Sequence, residues 1–146
     1  MSFGNTLSTD YHSPYNGRMK PLLAVAVLSI GIAFAQSKDC DSLEKCQEAI
    51  KVSPRNSLAH YRVGEVYFRQ GNYQMAANEF RESLGGYREP KWTEIWSHLN
   101  LGRIYDLTNQ RDRALNEYRI VLRLNDNSGG AVDQATQYIE TPYKSQ

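Results

Sequence analysis

Two cysteines and two histidines are the side chains whose type and spacing could do chemistry in this chain. Cys40 and Cys46 have five residues between them, so they form no Cys-x-x-Cys redox motif. Two thiols without a nearby histidine also fail as a zinc site, and nothing adjacent would activate either as a nucleophile. A disulfide and a pair of free thiols both remain open. Within one continuous helix, positions six apart lie roughly 9 Å apart along the axis, beyond the reach of a bridge. Asp41 with Glu44 three residues later reads as a helix start, which would leave Cys40 outside the helix and able to fold back. His60 and His98 each stand four residues before a glycine, Gly64 and Gly102. Repetition explains them better than a ligand pair does, because the further ligands a metal needs are missing. No glycine-rich phosphate loop follows a strand and no Gly-x-Ser-x-Gly is present. The expectation is no catalytic residue, no metal and no cofactor.

The elements that carry these residues repeat. Val63-Gly64 is followed by Tyr67, Ala76 and Phe80, and Leu101-Gly102 by Tyr105, Ala114 and Tyr118, with steps of three, twelve and sixteen from each glycine. Glycine inside a helix costs about 1 kcal/mol against alanine. Two at the same relative place therefore point to a close helix crossing that needs the space. Ala76 with Phe80, and Ala114 with Tyr118, share a face one turn apart on the second helix of each copy. Gly71 and Asn109 are aligned in the intervening turns, and both tolerate the left-handed conformation that ends a helix. The glycines are 38 residues apart. The pattern resembles the tetratricopeptide repeat, whose period is 34 residues, so four extra residues fall in the stretch from Gly85 to Pro90.

That resemblance implies an all-α fold of antiparallel helix-pair repeats stacked as a short right-handed superhelix, with about six helices. The expected boundaries are a half repeat at 39–56, repeats at 57–94 and 95–128, and a capping helix at 129–141, within a domain of 39–141. The half repeat rests on Leu43, Cys46, Ala49 and Ile50 at helical spacing before Pro54. The cap rests on Val132, Ala135 and Ile139 on one face, with Asp133, Gln134, Gln137 and Glu140 as the polar outer side that a terminal unit needs.

Such repeats bind other proteins, so the resemblance implies a non-enzymatic adaptor or scaffold that holds a peptide or helix of a partner in a concave groove. First-helix residues not packed inward would line it: Tyr61, Glu65, Phe68 and Arg69 from the first copy, Trp96, Leu99, Arg103 and Asp106 from the second, with Leu58 and Leu107 beside them. Arg69 and Arg103 would be opposed by Glu65 and Asp106, which argues against a carboxylate-terminus clamp. Tyr87 and Trp92 suggest a second surface. The competing reading is a self-associating structural subunit, a homo-oligomer docking through the open half repeat by Leu43, Cys46 and Ile50, since two full copies fall short of the three usual for stability.

Upstream, residues 1–18 are polar without helical or strand period and read as disordered or as an extension before the true start. Met19-Lys20, an uncharged run from Pro21 to Ala35, and Ala33-Phe34-Ala35 have the layout of a secretory signal peptide at 19–35. A membrane anchor is the alternative, although the run is shorter than the roughly 20 apolar residues of a spanning helix. Export to a bacterial periplasm or cell surface is the expectation, and oxidising surroundings there would favour a Cys40–Cys46 bridge. With 17 basic and 16 acidic residues and a net charge of +1, the chain has no basic footprint for nucleic acid.

Overall fold

The computed structural model of the protein describes residues 40–145; the expectations for residues 1–18 and 19–35 lie outside them. Six α-helices follow one another: α1 (Leu43–Val52), α2 (Ser57–Arg69), α3 (Tyr73–Gly85), α4 (Trp92–Leu107), α5 (Arg111–Leu124) and α6 (Ala131–Glu140), the last entered through a 3-10 turn at Ser128–Gly130. There is no strand among the described residues. None of their helices is long and apolar enough to cross a membrane.

Local chemistry sets the boundaries. Ser42, Asn56 and Asn72 each accept a hydrogen bond from a backbone N–H of the first turn of α1, α2 and α3, satisfying donors that a helix start leaves free. The cap of α1 is thus Ser42, one residue beyond the expected Asp41, which pairs with Lys45 instead at 2.8 Å. Gly71 (φ 74°) and Asn109 (φ 57°) take the left-handed conformation in the two equivalent turns. The four-residue expansion after α3 folds back on the start of α2: the Tyr87 N–H donates to the Arg55 carbonyl at 3.0 Å, and the Arg88 N–H to Ser57 Oγ at 2.8 Å. The backbone at Gly86 lies so close to Arg55 and Ser57 that a β-carbon would collide with both. After the cis Glu89–Pro90 peptide, α4 starts at Trp92, three residues before the expected boundary at 95.

The helices stack in chain order. Packing is most extensive within the pairs α2–α3 and α4–α5, α3 joins one pair to the next, and α1 and α6 close the ends against α2 and α5. Thinner contacts of α4 with α2 and α6 put these three on one wall. In each pair the glycine sits beneath the aromatic ring sixteen residues on. A β-carbon at Gly64 would lie 2.8 Å from Phe80 Cε1, and one at Gly102 closer still to Tyr118. Phe80 and Tyr118 are fully buried, with Ala76 and Ala114 beside them.

Cys40 precedes α1 and is disulfide-bonded to Cys46, the Cα atoms 4.8 Å apart. Cys46 is 3% exposed, in a small cluster with Ala59 and Val63 on which Leu43 and Ile50 also pack. The face expected to dock a second copy is therefore turned onto α2. α6 buries Ala135 as expected, but Gln134 is half buried on its inner side rather than on the polar outer face.

Candidate functional site

Six of the eight expected groove residues converge. A hollow of about 110 Å³ between the two copies is lined by Tyr61, Glu65, Phe68 and Arg69 from α2 and by Trp96 and Arg103 from α4, with Phe80 and Asn100 at its base. The other two go elsewhere. Leu99 has no exposed surface and belongs to the core. Asp106 has a fully buried side chain. Tyr61 is itself only 4% exposed, its ring against Phe80 and edge-on to Trp92, so it shapes the floor rather than a rim. Arg69 is exposed at the mouth. Leu58 lines a separate cavity of about 340 Å³ at the α1–α2 edge.

Charge is arranged differently from the expected opposition of Arg69 and Arg103 by Glu65 and Asp106. Glu65 pairs with Arg62 at 2.8 Å and accepts from the Tyr61 hydroxyl at 3.2 Å. Burial, helped by Glu65, pushes the Tyr61 phenol up, so it stays a donor. Asp106 pairs with Arg111 at 2.9 Å and accepts from the Tyr118 hydroxyl at 2.8 Å; burial first, and Asp106 second, also hold the Tyr118 phenol protonated.

Arg103 has no carboxylate within ion-pair distance among the described residues. It donates to Asn100 Oδ1 at 2.9 Å, to Gln134 and to the Tyr138 hydroxyl at 3.3 Å. The rings of Trp96, Tyr138 and Tyr143 lie 5.8, 5.4 and 5.2 Å from its guanidinium carbon. Aromatic faces and dipoles offset its charge, and its Nε is buried without an acceptor among the described residues. Trp96 is fixed in turn by donating to the Ser128 carbonyl at 2.9 Å.

Three contributors were not among the expected site residues. Arg111 donates to the Tyr138 and Ile139 carbonyls at 2.8 and 2.6 Å, capping the last turn of α6 while it holds Asp106. Tyr138 and Tyr143 supply two rings of the Arg103 cage. Tyr138 stands four residues after Gln134 and so shares its helix face, which the sequence assigns to the polar outer side; Tyr143 follows Pro142 and has no periodicity to report it.

The two histidines serve their own copies. His60 Nδ1 bonds Glu79 at 2.8 Å, and His98 Nδ1 bonds Glu117 at 2.7 Å, each across its own helix pair. No group of three or more potential metal ligands occurs among the described residues. The repeat pattern, its glycine crossings and its paired helices agree with comparison to known proteins: residues 55–126 match a family model described as tetratricopeptide repeat. Residues 55–126 are thus similar to tetratricopeptide repeats. These repeats generally mediate protein–protein interaction and are generally non-enzymatic. The chain is also 27% identical over 107 residues to a protein O-mannosyl-transferase of Caenorhabditis elegans. The matched part is 68% of this chain and 15% of that protein, so the likeness spans a small fraction of the relative.

Proposed function

We propose that this chain is a non-enzymatic adaptor or scaffold of the cell envelope that holds a peptide or helix of a partner protein against the α2–α4–α6 wall. The observation that carries this reading is the hollow between the repeats, where Trp96, Phe68 and an arginine without a carboxylate partner meet beside the exposed Arg69. Tryptophan, tyrosine and arginine are the usual anchors of protein interfaces. The envelope location rests on the signal-like residues 19–35.

A photo-crosslinking residue placed at Arg69, on the mouth of the hollow, and another at Asn78, on the exposed side of α3, test the groove in the native host. A discrete adduct from position 69, lost on Trp96→Ala and absent from position 78, is the expected result. Equal labelling from both positions would rule out the groove as the binding surface. Intact mass of the host-expressed protein tests export independently: a chain starting at Gln36 is expected, and an uncut chain would refute the cleaved signal.

A further inference from the structure

The segment after α6 occupies the wall that a partner would use. α6 ends at Glu140, Thr141 turns extended (φ −130°, ψ 117°), and Pro142 cannot continue the helix. Instead of leaving the surface, the chain lays Tyr143 across all three groove helices. Its ring meets Phe68 of α2 at 6.3 Å and Tyr138 of α6 edge-on at 5.2 Å, with Arg103 of α4 over its face at 5.2 Å. Its backbone N–H donates to Asp106 Oδ2 at 2.8 Å. Thr141, Pro142, Lys144 and Ser145 are exposed, and only Tyr143 is half buried. The segment therefore holds on by one ring and one N–H, and the Tyr143 hydroxyl makes no hydrogen bond among the described residues.

We propose that this wall recognises an extended protein segment by one aromatic side chain together with its backbone N–H, and that residues 141–145 are an internal stand-in for that segment. The inference rests on the groove reading above and adds the chemistry of the partner. The site asks for a ring, because two aromatic faces and a guanidinium surround it, and for an extended chain, because Asp106 takes a backbone N–H that a helix interior would not offer. Phenylalanine satisfies it as well as tyrosine. The hollow between the repeats adjoins the Tyr143 place through Phe68 and Arg103, which line both. A longer partner segment gains contacts there, with Trp96 and Glu65, that residues 141–145 do not make. Tethering gives the internal segment a high effective concentration, so it lowers the apparent affinity of any competitor by the fraction of time the site is closed.

The test uses the full chain and an unlabelled peptide copying residues 139–145, Ile-Glu-Thr-Pro-Tyr-Lys-Ser, titrated by NMR. Tyr143→Ala is expected to bind it about tenfold more tightly than the wild type and Tyr143→Phe. A peptide with alanine for its tyrosine is expected not to bind. Equal affinities for wild type and Tyr143→Ala would overturn the proposal, as would binding of the alanine peptide. Should Tyr143→Ala fail to fold, 3-fluorotyrosine at position 143 of the otherwise wild-type chain tests the same competition. Its fluorine resonance is expected to move to the free position as peptide fills the site; a resonance that stays in place while peptide binds would refute the stand-in role. A crosslinked partner at Arg69 whose yield ignores Tyr143→Ala would leave the groove reading standing and defeat this one alone.

Discussion

The two repeats share one backbone plan and fill it with different chemistry. Counting from the glycine, positions four, nine and sixteen are Phe68, Tyr73 and Phe80 in the first copy and Asp106, Arg111 and Tyr118 in the second. The first set is aromatic, with Phe68 and Tyr73 rings 5.8 Å apart. The second is a hydrogen-bonded trio in which Asp106 takes both Arg111 and the Tyr118 hydroxyl. What the two copies share is therefore shape: a glycine under a ring and an alanine beside it. The polar trio does something the aromatic one cannot. Through Arg111 it caps the carbonyls of α6, and through Asp106 it holds the backbone of Tyr143. The first copy is followed by another repeat and can close with apolar contacts; the second is followed by a cap that the trio fixes in place. Tyr143 reads both copies at the same relative position, its ring on Phe68 and its N–H on Asp106.

Breaking the trio is expected to have the largest effect. Asp106→Ala leaves Arg111 and the Tyr118 hydroxyl without their acceptor and should cost about 3–4 kcal/mol by denaturant unfolding, as for other broken buried pairs. The combination Asp106→Phe, Arg111→Tyr and Tyr118→Phe rebuilds the first copy's chemistry in the second and should recover only part of that stability, because the hydrogen bonds from Arg111 to the α6 carbonyls are not restored. It should still lose the docking of Tyr143, which separates the role of the trio in stability from its role in the groove.

The two ends of the stack offer the next contrast, since α1 is clasped covalently and α6 by Arg111. Reducing the Cys40–Cys46 bridge, or replacing both cysteines by alanine, should cost about 2 kcal/mol in melting experiments because the loop is short. The groove between the repeats should survive unchanged.

The glycines test how strictly the shared shape is required. Gly102→Ala should cost about 2 kcal/mol and Gly64→Ala about 1, the overpacking penalty being partly offset by the better helix propensity of alanine. The order follows from the closer approach at Gly102 and from Tyr118 being pinned by Asp106, whereas Phe80 has no such tether.

The smallest expected effect comes from pH. His60 faces two acceptors, the Glu79 carboxylate through Nδ1 and the Pro54 carbonyl at 3.0 Å through Nε2. Two acceptors need two N–H groups, so the imidazolium fits and the neutral ring fits only in part. The Glu79 hydrogen bond raises the His60 pKa above 6.5 against the opposing effect of burial, with Pro54 and the charge of Glu82 assisting. The stabilisation is therefore complete below 6.5 and lost as pH rises through the raised value. The Tm advantage of the wild type over His60→Gln should shrink as pH rises above 6.5 and through the raised value; an advantage independent of pH would refute the doubly bonded imidazolium.

Much of this fold was legible in the sequence because shape leaves a periodic trace. Gly64 and Gly102, Ala76 and Ala114, and the turn residues Gly71 and Asn109 recur at fixed steps, and the Ala131–Glu140 helix is bounded by glycines and a proline. The site was legible only in part. Leu99 reads as a groove residue although α4 is the central helix, with buried residues on nearly every side, including Thr93, Ile95, Ser97, Asn100 and Ile104. A helix enclosed on most sides has no single apolar stripe from which to read an outer face. Asp106 reads as a groove-lining charge because sequence cannot tell an exposed carboxylate from one satisfied by three donors. Gln134 reads as an outer-face residue for the same reason, since its partner Arg103 is 31 residues away.

Amide hydrogen exchange at Tyr143, read by NMR in the full chain against its neighbours Lys144 and Ser145, tests most directly the claim that the two repeats act together on one bound segment. Joint capture by Phe68 and Asp106 requires the Tyr143 amide to exchange markedly more slowly than the two exposed residues after it, and to lose that protection in Asp106→Ala. A Tyr143 amide that exchanges as fast as Lys144 and Ser145 would contradict it.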